Sequence, residues 1–498
     1  MVSEHQIAHF LRELAGAGDA HRRAAAAKGL GRLGGVEHTA VLVRAARDPE
    51  PEVRAAAAVG LGRLGARQAG AEVLPALLDD PDARVRRRAS LAAIRLDLDG
   101  PDVRKAFARL LRDPDHHVRI NAVTGLDALG TFGDAAALTE LHGDPDVAVW
   151  GRARGLLYRF ADDPAVEAEM VRTAREGVGA ARARALDILP SRFTEPLLDS
   201  LFTGLRDPSE QVRAAVAGRL LGVDSAAARD ALVEALERET DPRAATVLLH
   251  GLGGHGERRA TDPAVRWLAD PEAGRWAADA LGGIGTSAAA SHLRSALHDR
   301  TLPGATRAAV AEALGQARTW DAVWLLLPLL DDADRSLRVG ALKGLGTLVR
   351  RGLWLWERHA VTQALVAHLE SERDDPWHAR NALDGLARAL PAVRRLADES
   401  PSGEVRAAAL SLLDVTDADD DMAVEDVRRC VRGLDDPYEA VRYRAVIGLA
   451  RWVELTGAPP PDSDGVHERL AVLASHPSAR LRRAAADLLD TLGPAAPA

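Results

Sequence analysis

The sequence predicts an all-α fold of stacked helix pairs, an α-solenoid curved into a superhelix. Three observations carry the prediction. The chain has 498 residues, too many for one hydrophobic core, so several domains or a repeat array is expected. Hydrophobic residues make up 47%, charged residues 28% and aromatics only 4%, and the abundant small and straight side chains favour helix over strand. One short pattern then recurs: Asp-Pro, three variable residues, Val-Arg, and a stretch rich in Ala, Leu and Gly.

The pattern runs from Asp48-Pro49 to Val53-Arg54, from Asp80-Pro81 to Val85-Arg86, and from Asp113-Pro114 to Val118-Arg119. It returns at Asp207-Pro208 to Val212-Arg213 and at Asp436-Pro437 to Val441-Arg442, while Asp332 leads to Leu337-Arg338. The arginine slot is also filled by Arg23, Arg182, Arg307, Arg380, Arg406 and Arg482. Trp150 and Ala244 occupy it in two degenerate units, and Arg275 fills it with a slip of one residue. The steps Arg23 to Arg54 to Arg86 to Arg119 are 31, 32 and 33 residues. Repeat counting at that period gives about fifteen units.

Each unit reads as two helices. The segment before Asp-Pro carries apolar residues at helical spacing, as in Val73, Leu74, Leu77 and Leu78. The proline forces a break, because it lacks an N–H and restricts the residue before it. The second helix starts near Val53 and is expected to bury Val53, Ala56, Ala57, Leu61 and Leu64, one helical face. A closing glycine, such as Gly34, Gly65 or Gly130, suits the left-handed C′ position. Glycines inside the helix, such as Gly60 and Gly62, each cost about 1 kcal/mol relative to alanine, so their recurrence implies close helix-to-helix approach. Helices around Ile7, Phe10 and Leu11 and from Leu488 to Leu492 are expected to cap the stack.

The aspartate and arginine of each unit are six residues apart. The carboxylate can cap helical N–H groups, and the arginine can donate to it or to the aspartate of a neighbouring unit. This predicts a structural ladder built from Asp48, Arg54, Asp80, Arg86, Asp113, Arg119, Asp207, Arg213, Asp332, Arg338, Asp436 and Arg442.

On these residues the chain resembles the HEAT-like repeat family, from about Asp19 to Leu492. The short unit is similar to the phycobilisome-lyase-type repeats of bacterial HEAT-repeat proteins. The resemblance implies that second helices line a concave, partner-binding face. It also brings three enzyme classes into view. HEAT-like deoxyhypusine hydroxylases hold a di-iron centre with several His-Glu pairs, whereas this sequence has one, His467-Glu468. Phycobilin lyases share the short repeat and imply a photosynthetic host. HEAT-like alkylpurine DNA glycosylases use a basic groove around the damaged base, for which Lys28, Arg32, Arg63, Arg95 and Arg159 on early second helices are the candidates here.

The repeat is regular through residues 1–350 and irregular, but continuous, through residues 351–498. The steps Arg338 to Arg380 to Arg406 to Arg442 to Arg482 are 42, 26, 36 and 40 residues. The long step holds Arg350, Arg351, Trp354 and Trp356, with Trp320, Trp324 and Trp377 nearby in sequence. Tryptophan and arginine are favoured interface anchors, so these seven residues are the candidate partner-binding set. The bland alternative places Trp320 and Trp324 in the core of a first helix and lets Trp354 or Trp356 plug a gap made by the irregular repeat. Trp354 and Trp356, two residues apart, could not share one helical face. Asp414, Asp417, Asp419, Asp420, Asp421, Glu425 and Asp426 read as a solvated acidic linker, without the spacing of a calcium loop.

The balance of 64 basic and 73 acidic residues, a net charge of −9, argues against a chain built to wrap nucleic acid. Lysine occurs only at Lys28, Lys105 and Lys343, an arginine bias that reads as high-GC coding. The lone Cys430 excludes an internal disulfide or a cysteine zinc site. Apolar runs such as Val323 to Leu330 fall far short of the ~20 residues that span a bilayer. No Walker loop, G-x-S-x-G elbow, H-E-x-x-H or C-x-x-C is present, and Gly251 to Gly256 reads as a repeat end. His116 and His117 are expected to project in different directions, a poor metal site. The reading is therefore a monomeric, cytoplasmic, non-enzymatic scaffold or adaptor without cofactor, metal or membrane, holding a protein or peptide. Nucleic-acid binding through the basic stripe is the alternative.

Overall fold

The computed structural model describes residues 2–16, 18–189, 195–317, 319–413 and 421–493. These form thirty α-helices, five short 3-10 helices and no strand, which makes fifteen helix pairs. The chain divides into two compact units, Met1–Ala235 and Leu236–Ala498. The change from regular to irregular repeats expected from the sequence, after residue 350, would fall inside the second.

One pair shows how the sequence builds the others. The helix Arg67–Leu78 buries Gly70, Val73, Leu74, Leu77 and Leu78. A turn follows at Asp80-Pro81, and the Asp82 carboxylate caps the next helix, Ala83–Arg95, by accepting the Arg84 N–H at 2.8 Å. The residue that caps is thus two places after the ladder aspartate. The ladder aspartate instead closes an Asx turn, with Asp80 accepting the Asp82 N–H at 2.9 Å. In the helix Pro51–Leu64 the buried face is Val53, Ala56, Ala57, Ala58, Gly60, Leu61 and Gly62, with Leu64 only half-buried.

The small residues are explained by contact between successive second helices. A Cβ on Gly31 would collide with the Gly60 Cα, and one on Gly62 would lie 3.2 Å from the Ala92 Cα. In the second unit a Cβ on Gly283 would lie 2.5 Å from the Gly253 carbonyl oxygen. Backbone-to-backbone packing returns in dispersion what glycine costs in helix propensity. Gly65 and Gly130 take the left-handed conformation. Gly34 does not: its φ of −79° is extended, leading into Gly35 and a short 3-10 turn.

The ladder runs between units. Arg54 grips Asp80 with two hydrogen bonds, at 2.6 and 2.9 Å, and its remaining nitrogen donates to the Asp48 and Pro49 carbonyls of its own turn. Arg23–Asp48, Arg86–Asp113, Arg119–Asp144, Arg338–Asp374 and Arg406–Asp436 repeat the two-pronged pair. Arg182 reaches Asp207 with one bond at 2.7 Å. Arg213 donates to the Asp207 and Pro208 carbonyls. Arg442 donates to the Asp436 and Pro437 carbonyls and meets His476 instead of a carboxylate.

Besides Arg442, several positions depart from the expected ladder, among them Arg380, which meets Ser411 and Asp384. Arg307 has a buried Nε without a hydrogen-bond partner, and the Asp332 carboxylate caps the Asp334 N–H. Arg275 lies beside Trp276 on the helix surface and forms no rung. Trp150 fills an arginine slot, and Arg184 from the following second helix takes over. It lies over the Trp150 ring at 4.2 Å and donates to the His142 and Asp144 carbonyls.

Candidate functional site

The five candidate tryptophans are not in the core. Trp320 sits just ahead of the helix Ala322–Leu326 and is 78% exposed, and Trp324 on that helix is half-exposed. Trp354, Leu355 and Trp356 form the turn between the helices Arg335–Arg351 and Glu357–Glu370, and are 57%, 67% and 66% exposed. Because this is a turn and not a helix, Trp354 and Trp356 do share a face. Their rings stack at 5.3 Å between centroids with 3° between planes. The buried Glu357 carboxylate fixes the turn by accepting the Trp354 N–H at 2.9 Å. Arg351 donates to the Gln316 carbonyl, which ties this turn to the end of the helix Gly304–Ala317, close in sequence to Trp320. Arg350 bonds only Thr347, so neither Arg350 nor Arg351 has a carboxylate partner among the described residues.

Trp377 is separate. It opens the second helix Pro376–Leu383, at the Asp-Pro edge of its repeat, whereas the other four lie at the opposite, inter-repeat edge. Its ring is covered by Arg444 at 4.4 Å. Another groove, of about 590 Å³, runs over the second-helix face of the same unit past Trp276, Glu312, Arg335 and Lys343.

The residues of the expected basic stripe have an ordinary structural explanation. Lys28, Arg32, Arg63 and Arg95 are exposed and lack carboxylate partners among the described residues. Arg159 pairs with Asp127 at 2.5 Å. Arg32, Arg63, Arg95 and Arg159 all occupy last turns of second helices, where a cation complements the helix dipole. The nearby acids are engaged elsewhere: Asp79 with Arg109, Asp80 with Arg54, Asp97 with Arg67.

Other sequence candidates resolve differently. His116 and His117 do not diverge: their rings lie 3.9 Å apart, and with Asp115 they offer ligand atoms within 4.8 Å of one another. Asp115 is already committed to capping the His117 and Val118 N–H groups. Both ring nitrogens of His467 meet backbone carbonyls, of Ser463 and Gly493. In the acidic segment, Asp414, Asp417, Asp419 and Asp420 lie outside the described residues, as does the side chain of Asp421. Asp426 is no linker residue. It is buried and paired with Arg394 and Arg429, while Glu425 pairs with Arg428 and Arg432. Cys430 is buried, which pushes its thiol up to about 12.

The model of the HEAT repeats matches residues 7–95, 71–156 and 231–304. Those residues carry HEAT repeats. Solved HEAT-like solenoids agree over nearly the full length of the chain. Yeast importin-beta (Kap95p) aligns with 97% of this chain and 75% of its own, at 12% identity and a TM-score of 0.53. Kap95 in its Nup1 complex aligns with 98% and 78%, at 12% identity and 0.56. Kap95p with RanGDP aligns with 98% and 78%, at 13% identity and 0.52. At these identities the likeness is one of fold. No curated protein sequence matches the chain. The HEAT repeats are a structural repeat family and indicate no enzyme class. Among the described residues no helix is long and apolar enough to cross a membrane.

Proposed function

We propose that this chain is a non-enzymatic scaffold or adaptor that binds a protein or peptide partner. The observation that carries it is the exposed, stacked Trp354–Trp356 pair, with exposed Leu355 between them and, on the preceding helix end, Arg350 and Arg351 without carboxylate partners among the described residues. Water-exposed indole faces favour association by roughly 25 cal/mol per Å² buried, and fixed aromatics lose little entropy on binding. Kap95p, which shares the fold, is solved with RanGDP and with Nup1, and this supports a protein as the kind of partner.

The test is a tagged capture from nuclease-treated native lysate, with the wild-type chain beside Trp354→Ala/Trp356→Ala. A stoichiometric protein held by the wild type and lost from the variant, with the variant's circular dichroism unchanged, is expected. Equal capture by both removes the tryptophan edge from the reading. No protein, but salt-sensitive nucleic acid from untreated lysate, shifts the reading to the stripe of Lys28, Arg32, Arg63, Arg95 and Arg159.

A further inference from the structure

The last second helices carry a different surface from the tryptophan edge. Arg444, on the helix Glu439–Thr456, covers Trp377 at 4.4 Å and lies 5.7 Å from the Tyr443 ring centroid. Arg480, on the helix Ala479–Leu492, lies over the Tyr443 ring, 3.9 Å from the same centroid. To reach Trp377, Arg444 must cross the intervening short helix Gly403–Leu410, whose Ala407, Ala408 and Ala409 are buried and small. Two guanidinium groups therefore share one aromatic ring, and neither is ion-paired among the described residues. Glu439 lines the same groove, of about 430 Å³, without pairing with either. Burial first, and then the like charges of Arg480 and Arg380, push the Arg444 pKa down.

Guanidinium planes stacked on rings keep their N–H edges free and pre-oriented, which suits a planar, two-oxygen acceptor. Sharing Tyr443 and Arg480 with the first, a second groove of about 590 Å³ has one wall of Val446, Ile447, Ala450 and Leu488, with Ile447 exposed, and carries Arg483 and Asp487 in the rest of its lining. A carboxylate site thus adjoins an aliphatic site.

We infer that this surface binds an acidic peptide segment of a protein partner, with a carboxylate on Arg444 and Arg480 and a neighbouring aliphatic side chain against Ile447. Charge complementarity sets the first half and the apolar wall the second. A nucleic acid fits less well: phosphate affinity comes from many cations in a row, and the chain carries a net −9. The inference rests on the scaffold reading and gives its partner a chemistry.

The test pans a library of short random peptides against the full chain and against Arg444→Gln/Arg480→Gln in parallel. Circular dichroism checks that both melt alike. The expected result is that the wild type selects sequences with Asp or Glu beside Leu, Ile or Val, and that the variant does not. The selected peptide, fluorescein-labelled, should bind the variant about tenfold or more weakly, the loss expected for a charge-assisted pair. Its amide counterpart, with Gln and Asn, should bind the wild type comparably weakly. Arg444→Lys/Arg480→Lys should restore only part of the affinity, because lysine lacks the stacked plane. The inference is overturned if the wild type selects nothing, if it selects without acidic preference, if both proteins select the same peptides, or if a single-stranded oligonucleotide displaces the peptide. A lysate partner captured equally by wild type and Arg444→Gln/Arg480→Gln would sink this inference and leave the scaffold reading standing.

Discussion

Removing the Arg54 guanidinium should open the stack locally and expensively. Arg54→Ala deletes two bonds to Asp80, at 2.6 and 2.9 Å, and two to the carbonyls of Asp48 and Pro49, at 2.9 and 2.8 Å. The Asp80 side chain is 6% exposed, so its carboxylate would be left in a poorly hydrated place without its partner. Breaking one side of such a pair costs about 3–5 kcal/mol. Asp80→Asn keeps an acceptor for the Asp82 N–H and an oxygen for Arg54, so it should cost only about 1–2 kcal/mol. The assay is hydrogen exchange of the full chain, read peptide by peptide, because a long repeat array has no single unfolding free energy. Amides in Pro51–Leu64 and Ala83–Arg95 should lose protection, while helices beyond residue 236 keep theirs, since contacts run between neighbours. A loss under about 1 kcal/mol would show that the rungs decorate the stack and do not hold it. A loss spread evenly through both units would refute the nearest-neighbour reasoning.

Four further outcomes follow from particular residues. Gly31→Ala must push apart two backbones and should destabilise by about 1–3 kcal/mol. Gly151→Ala, with nothing near its Cβ on an exposed helix face, should stabilise by up to ~1 kcal/mol, and thermal circular dichroism separates the two signs. His142 is buried with neither ring nitrogen bonded, and burial together with the Arg184 and Arg154 charges pushes its pKa down to about 4. The unfolded chain takes up that proton near the ordinary value of 6.5 and the folded chain does not. Stability is therefore full above that value and falls as the pH drops towards 4, by at most about 3 kcal/mol. Hydrogen exchange around Leu141–Gly143 should show this, and His142→Leu should abolish the slope there. Cys430 should resist iodoacetamide at mildly alkaline pH until urea opens the helix, and rapid native labelling would contradict its burial.

The sequence made the repeat legible because its marks are local. Asp-Pro and Val-Arg locate a turn and a helix start wherever they occur, and Val73 to Leu78 declare their buried face by spacing alone. The partner in each rung was less legible, because Arg54 selects Asp80 across the stack. Asp144 stands in a plain Asp144-Pro145 pair and could have been found, but Trp150 in the following slot hid that unit. Asp374 was obscured by its neighbour Asp375, which takes the capping role by accepting the Trp377 N–H. The tryptophans show the limit most clearly. Spacing of two residues excludes a shared face only on a helix, and nothing in the spacing of Trp354 and Trp356 announces a turn. The Trp377, Tyr443, Arg444 and Arg480 group joins residues from three helices and leaves no trace in any one of them.

The rungs also measure how the array tolerates change. Most arginines reach an aspartate 25 to 27 residues ahead, yet Arg338 reaches Asp374, 36 ahead, with the same two bonds. The surplus residues are absorbed by a longer helix, Arg335–Arg351, and by the turn that carries Trp354 and Trp356. The ladder therefore counts repeats and ignores the chain length between them. Insertions at the inter-repeat edge leave the register intact, so that edge is where such an array can acquire new surface without relearning how to stack.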